Sequence, residues 1–171
     1  MSTTHPITPA LAHVSCTANL LVDNVTAGAE PHSYRSVFAV DGTHPYLYEN
    51  PAIANHVSGT TFIDMGRQLL KAVSHIYYDT AMDSRFVLHG IDIEFLRWAR
   101  LAVAIELTIT VEMSPVRRAD APRNCQCTFV WQQDGHLVAR ARSSFTTMSA
   151  ALEAKLMARQ FAASPAELAC G

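Results

Sequence analysis

Residues 59–77 read GTTFIDMGRQLLKAVSHIY, and this stretch has the pattern of a buried α-helix. Apolar residues recur at intervals of three and four, as they do along one face of a helix. They form two lines, Phe62, Met65, Leu69, Val73 and Ile76 in one and Ile63, Leu70 and Tyr77 in the other. The two lines cover well over half of the circumference, so the helix is predicted to be buried on most sides. Gly66 costs about 1 kcal/mol relative to Ala in a helix, which predicts a close backbone contact there.

The residues after this helix predict a run of antiparallel strands. Residues 103–113 alternate apolar with polar or small side chains without a break, which is the strongest strand pattern in the chain. Residues 91–95 alternate in the same way, and Asp134-Gly135 lies between two β-like runs as the centre of a hairpin turn. Three weaker elements complete the prediction: strands over 14–25 and 33–40, and a last helix over 150–163. The predicted fold class is α+β, an antiparallel sheet wrapped around one long central helix.

The composition is that of a globular protein with a sizeable core. Of 171 residues, 49% are hydrophobic and 16% are charged, which fits a single domain over residues 1–171. The net charge of −2 argues against nucleic-acid binding, which needs a dense basic face. The apolar runs are too short for a membrane span, and residues 1–10 lack the features of a secretory signal. We therefore expect a cytoplasmic protein with no membrane association.

The central helix also predicts an assembly. A helix that is apolar nearly all round needs cover on both sides, and one sheet covers only one of them. A second subunit is the natural source of the other cover. The sequence therefore predicts a homodimer, or a dimer of dimers.

The first candidate site is the segment Asn55-His56-Val57-Ser58-Gly59, immediately before the helix. Backbone N–H groups at a helix start are unpaired and carry partial positive charge, so those at Ser58 and Gly59 are candidates to polarise a carbonyl oxygen. His56 is a candidate general base near neutral pH. The alternative is a surface histidine that happens to precede a helix.

The second candidate is a polar stripe along the helix, formed by Asp64, Gln68, Lys71 and His75. Such a stripe is either a solvated face or part of a catalytic cleft, and the pattern leaves both open. His56 and Asp64 are about 9 Å apart along the helix axis, too far to bond within one chain. A shared site would need the acid of one subunit to face the histidine of the other.

Two short motifs carry a family resemblance, Asn55-His56-Val57-Ser58-Gly59 and Asp64-Met65-Gly66-Arg67-Gln68. Together they resemble the H-V-x-G…E-x-x-R-Q signature of A-factor biosynthesis (AfsA-type) hotdog domains. The spacing from His56 to Gln68 is also similar to that of FcoT-type acyl thioesterases, and more loosely to the helix of β-hydroxyacyl-ACP dehydratases. Asp64 stands where the AfsA signature has Glu, and Ser58 where FcoT-like enzymes have Asn.

The resemblance implies a hotdog fold and an enzyme that acts on acyl thioesters of CoA or acyl carrier protein, in secondary metabolism or signal synthesis. It implies no metal and no cofactor, because the pantetheine arm belongs to the substrate. His56 matches the catalytic loop histidine and Asp64 the helix acid. The residues expected to orient the substrate are Asn55, Arg67, Gln68 and Tyr48.

Thioester hydrolysis is the favoured reaction, with His56 of one subunit and Asp64 of the other activating water. Dehydration or hydration at the β-carbon, and AfsA-like acyl transfer to an alcohol, use the same base and the same polarised carbonyl. Both therefore remain open. The non-enzymatic alternative is a module that binds acyl thioesters without turnover.

A basic loop is a candidate docking element. Residues 114–123 read SPVRRADAPR, with prolines near both ends. Arg117, Arg118 and Arg123 are candidate contacts for CoA phosphates or for an acidic carrier protein, and a solvated loop is the alternative. Trp98 and Trp131 are expected in the core.

Overall fold

A computed structural model describes residues 3–41, 56–115 and 121–162, with side chains up to residue 159. The strands of this part of the chain are β1 Thr4–Pro6, β2 Asn24–Ala27, β3 Ser33–Phe38, β4 Arg85–Phe95, β5 Ile105–Met113, β6 Arg123–Gln133 and β7 His136–Met148. The helices are α1 Pro9–Ala12, α2 Gly59–Tyr77 and α3 Ala150–Ala162, with a 3-10 turn at Thr17–Asn19. The strands form one antiparallel sheet in the order β1-β2-β3-β5-β6-β7-β4. The α+β prediction is confirmed.

The long helix α2 has the predicted bounds and is buried along most of its length. The Ser58 hydroxyl caps it by accepting a hydrogen bond from the Thr61 N–H at 3.3 Å. At Gly66, a Cβ atom would lie 3.1 Å from the ring of Phe129 and 3.3 Å from the indole of Trp131. The helix therefore approaches the sheet closely at Gly66, as predicted.

The sheet against which α2 packs is built from strands with strict alternation. In β5, the side chains of Ile105, Leu107, Ile109 and Val111 are all fully buried. The hairpin between β6 and β7 turns at Asp134 and Gly135, with φ of 52° and 74°. Two consecutive positive φ angles are those of a type I′ turn, so the Asp-Gly prediction is confirmed.

The prediction of a strand over residues 14–25 is wrong. That segment contains the 3-10 turn, and only its last two residues belong to a strand, β2. Its backbone is held by a side chain: the Leu21 N–H donates to Oε1 of Gln68 at 2.8 Å, and the Asn19 carbonyl accepts from Nε2 of Gln68 at 2.9 Å. Apolar residues such as Val22 pack in the core there, which produced the strand-like pattern.

The N-terminal segment, residues 4–23, covers the side of α2 for which the sequence suggested a second subunit. It contains β1 and α1, which the sequence pattern did not predict, and α1 packs on α2. A homodimer therefore stays a prediction, and this reason for it is weaker. In the described part of the chain, no helix combines the length and the apolar character needed to cross a membrane.

Candidate functional site

The start of α2 is occupied by protein contacts. The Ser58 hydroxyl lies 2.9 Å from Oγ1 of Thr60 and 2.8 Å from Oγ1 of Thr61, in addition to its capping bond. A Cβ at Gly59 would meet the ring of Phe95 at 3.0 Å. A larger residue than glycine at position 59 would thus displace this aromatic ring, which is half exposed at the end of β4.

His56 lies beside an exposed tryptophan. Its backbone forms an isolated antiparallel bridge with Arg100, and the next residue, Val57, donates to the Ala99 carbonyl at 2.8 Å. The ring of His56 meets the indole of Trp98 edge to face, with 4.4 Å between the centroids. Trp98 is 79% exposed, so its expected place in the core is wrong, whereas Trp131 is buried as predicted. His56 is partly exposed and thus accessible to a ligand.

Asp64 is bonded within its own helix. Its Oδ1 accepts from Nε of Arg67 at 2.5 Å and its Oδ2 accepts from Nε2 of Gln68 at 2.8 Å. The side chain of Asp64 is only 16% exposed and Gln68 is fully buried. The polar stripe is therefore not a solvated face at these positions, because the N-terminal segment lies over it. Gln68 uses both of its polar atoms to hold that segment.

The stripe continues in a pair of histidines. His75 Nδ1 lies 2.7 Å from the Thr80 carbonyl, which requires a proton on that nitrogen. Its Nε2 lies 2.9 Å from Nε2 of His13, so in the neutral pair His13 donates and His75 accepts. Burial lowers the pKa of His13 to about 4, and the neighbouring charge of Lys71 adds to this shift. At neutral pH His13 is therefore uncharged, and its hydrogen bond to His75 ties the N-terminal segment to α2.

An apolar pocket runs alongside α2, on the side facing β4. Its volume is about 160 Å³. Its lining residues come from α2, β4, β6 and β7: Ile63, Gly66, Arg67, Leu70, Lys71, Phe86, Leu88, Ile91, Phe129, Trp131, Ser143 and Phe145. Leu88 and Ile91 are 58% and 38% exposed, so the pocket reaches the surface at β4. Ile63, the first residue of α2 that lines the pocket, lies about one helical turn beyond Gly59.

The remaining site predictions fall into two groups. Asn55, Tyr48, Arg117 and Arg118 lie outside the described residues. Arg123 is described, and it donates to two backbone carbonyls, that of Ser114 at 3.1 Å and that of Tyr78 at 2.8 Å. Those bonds use two of its five N–H donors. In the structure, Arg123 thus connects the two ends of the 114–123 loop with each other and with the end of α2.

Most of the pocket was missed by the sequence reasoning. Ile91 and Phe129 belong to strands, and alternation shows which side chains are apolar but not which of them leave a gap. The one available signal was Gly66, whose missing side chain marks the middle of the helical wall. Arg67 was singled out by the motif and does line the pocket.

The sequence and the fold now permit an assignment to a family. The model of the A-factor biosynthesis hotdog domain matches residues 1–149. The chain belongs to this family. No curated protein gives a match.

Solved structures with the same fold are more distant in sequence. The dehydratase heterocomplex ApeI:P from Xenorhabdus doucetiae has a TM-score of 0.65 at 13% identity, over 90% of this chain and 97% of the other. A hot-dog-like protein from Thermanaerovibrio acidaminovorans has a TM-score of 0.57 at 18% identity, over 75% and 90%. Zebrafish thioesterase superfamily member 2 has 0.53 at 16% identity, over 81% and 91%. The hotdog fold is thereby confirmed.

Proposed function

We propose that this hotdog domain hydrolyses acyl thioesters carried by CoA or by an acyl carrier protein. The observation that supports this best is the apolar pocket, which begins about one helical turn beyond the residues that precede α2. A carbonyl at the start of α2 would thus place its acyl tail beside Ile63 and Gly66. The volume of about 160 Å³ suits a short tail, since a cavity of about 150 Å³ holds one benzene molecule.

In the proposed reaction, His56 is the general base. Its imidazole takes a proton from water, and the oxygen of that water attacks the thioester carbonyl. N–H groups at Ser58 and Gly59 stabilise the tetrahedral oxyanion. The intermediate collapses with cleavage of the C–S bond, and the leaving thiolate takes the proton from the imidazolium. The products are a carboxylic acid and a pantetheine thiol, with no cofactor required.

Asp64 fits the role of a fixed negative charge that stabilises a cation, rather than the role of a proton donor. Both of its oxygens accept hydrogen bonds, which is the pattern of a carboxylate. This favours hydrolysis over dehydration, because dehydration needs an acid that protonates the departing hydroxyl. In the proposal, the N-terminal segment leaves a small part of the Asp64 side chain exposed, and in a second copy this part faces the imidazole and stabilises the imidazolium across the interface. Arg67 and Gln68 orient this carboxylate.

The test is to incubate the protein with acyl-CoA, 3-hydroxyacyl-CoA and enoyl-CoA of equal chain length, and to identify products by mass. Hydrolysis gives the free acid and CoA from each substrate. Interconversion of the hydroxyacyl and enoyl thioesters would instead identify a dehydratase, and an ester formed with an added alcohol would identify acyl transfer. Tight binding without any product would identify a binding module.

The variant His56→Ala tests the base. Loss of a general base lowers kcat by at least about a hundredfold. Loss of a surface histidine that takes no part in the reaction would leave kcat almost unchanged. The matched control is His136→Ala in the exposed β6–β7 hairpin. Retention of activity within about threefold in His56→Ala would exclude this role.

A further inference from the structure

Two hydrogen-bond donors line the apolar pocket without an acceptor among the described residues. The first is the indole of Trp131. This side chain is 1% exposed, and its Nε1 has no hydrogen-bond partner. Its Cζ2 atom lies 3.3 Å from the Cβ position of Gly66, and Cζ2 is bonded to the carbon that bears Nε1. The N–H edge of the ring is therefore the edge next to α2, beside the middle of the pocket.

The second donor is the ammonium group of Lys71. It lies 5.7 Å from the centroid of the Phe86 ring, and both residues line the pocket. No carboxylate of the described residues pairs with Lys71, because Asp64 binds Arg67 and Gln68 instead. Burial, with the nearby guanidinium of Arg67, lowers the pKa of Lys71 to about 8. The Asp64 carboxylate offsets part of this lowering from a distance, without an ion pair to Lys71, and Lys71 is largely charged at neutral pH.

We propose that the pocket selects acyl groups that carry an acceptor oxygen in their distal half, bound by Trp131 and Lys71. This inference rests on the proposed function, because it assumes that an acyl thioester enters at the start of α2. The buried indole N–H carries a free-energy cost because it has no acceptor, and the half-buried ammonium is partly desolvated without a bonded carboxylate. A ligand oxygen that meets these donors removes this cost, whereas a purely aliphatic tail leaves it in place.

The positions of the donors place the oxygen far from the thioester. Gly66 lies about 10 Å and Lys71 about 18 Å beyond Gly59 along the helix axis. Side chains of a helix lean towards its N-terminus, which brings the Lys71 ammonium back towards the pocket. An oxygen on the carbon next to the carbonyl, or on the one after it, would not reach either donor. A terminal carboxylate or a ketone near the end of a chain of about six carbons would.

The experiment uses three thioester analogues of the same shape, in which an amide replaces the thioester of CoA so that no turnover occurs. Their acyl groups are hexanedioyl, 6-oxoheptanoyl and 6-methylheptanoyl, which end in a carboxylate, a ketone and an isopropyl group. Binding is measured by calorimetry on the wild-type chain. We expect the hexanedioyl and 6-oxoheptanoyl compounds to bind at least about tenfold more tightly than the aliphatic one.

Variants assign the preference to the two donors. Lys71→Met should reduce the preference for the carboxylate to below about twofold, Lys71→Arg should restore it, and Trp131→Phe should weaken binding of the ketone. Lys155→Met is the matched control, because Lys155 is the only other lysine of the chain and is exposed on α3. Circular dichroism of each variant confirms that it is folded.

The outcomes separate this inference from the proposed function. If all three analogues bind equally, or the aliphatic one binds best, the selection is overturned while acyl-thioester binding stands. If the preference persists in Lys71→Met and in Trp131→Phe, these donors are not its source and the proposal is wrong. If none of the analogues binds, the site does not accept acyl-CoA and both proposals fail.

Discussion

Among single residues, Gln68 has the clearest consequence for stability. It is fully buried, and its amide group bonds the Leu21 N–H, the Asn19 carbonyl and the Asp64 carboxylate. A side chain placed on a helix thus satisfies the backbone of a segment that has no sheet partner at those positions. This amide thus helps to hold the N-terminal segment on α2, together with the hydrogen bond between His13 and His75.

We predict that Gln68→Leu lowers the free energy of unfolding by about 3 kcal/mol, because two backbone groups and a carboxylate lose their partner without gaining water. Urea denaturation measures this. The control is Gln126→Leu on the exposed face of β6, which should change stability by less than about 0.5 kcal/mol. Equal effects of both variants would show that the amide does not hold the segment.

At this scale, the sequence identified the right helix positions but not their surroundings. The spacing of Asp64, Gln68, Lys71 and His75 placed them on one stripe, and the structure has them there. Periodicity cannot show what covers a stripe, and here the cover comes from residues about 50 positions away. Trp98 is a second case in which residue type did not predict the surroundings. A large aromatic side chain is expected in the core, but Trp98 lies on the surface against His56.

Among the elements, the β6–β7 hairpin depends on its turn. Gly135 has a φ of 74°, a conformation that costs an L-residue with a side chain about 1 kcal/mol or more. Gly135→Ala should therefore destabilise the protein by about 1 kcal/mol. Gly90→Ala is the matched control, since no atom lies within 4 Å of a Cβ there and its φ is not positive. Thermal unfolding of the pair distinguishes them: a melting temperature unchanged by Gly135→Ala would contradict the turn assignment.

The contact between the N-terminal segment and α2 should respond to acid. The groups around His13 are Lys71, His75, Arg67 and Arg85, all able to carry positive charge, and burial is the largest cause of its lowered pKa. The unfolded chain binds a proton on His13 near pH 6.5, whereas the folded chain binds it only near pH 4. This contribution to stability is thus complete above pH 6.5 and is lost as the pH falls towards 4.

Because one proton is involved, the free energy of unfolding changes by at most about 1.4 kcal/mol per pH unit between pH 4 and pH 6.5. Urea denaturation at pH 7, 5.5 and 4.5 measures it. His13→Gln should flatten the slope, whereas His136→Gln in the exposed hairpin should leave it unchanged. A slope that is the same in wild type and in His13→Gln would rule out the histidine pair as its source.

For the whole molecule, the fold was predictable because its strongest patterns are local. The period of α2, the alternation of β5 and the Asp-Gly turn each specify an element without reference to the rest of the chain. The N-terminal segment was not predictable in the same way, since a side chain of α2 holds its backbone. The pocket could not be predicted either, because a gap between α2, β4 and β6 is a property of packing in three dimensions.

The sheet itself suggests how the molecule assembles. In the described part of the chain β4 is an edge strand, paired only with β7, and it is 11 residues long. It exposes Leu88, Ile91 and Phe95, and a long apolar edge of this kind is a site of strand pairing between chains. Pairing of β4 with β4 of a second copy would also cover the surface opening of the pocket and bring two α2 helices towards each other.

We predict a homodimer through β4 that Leu88→Glu weakens by at least a factor of about 100. A symmetric contact repeats the substitution on both copies, so two charges are buried without partners. Sedimentation equilibrium on wild type and variant measures the dissociation constant. Val37→Glu is the control, because Val37 is also exposed but belongs to β3, inside the sheet. A wild-type chain that sediments as a monomer at 50 µM, or a dimer that Leu88→Glu leaves intact, would show that β4 does not join two copies.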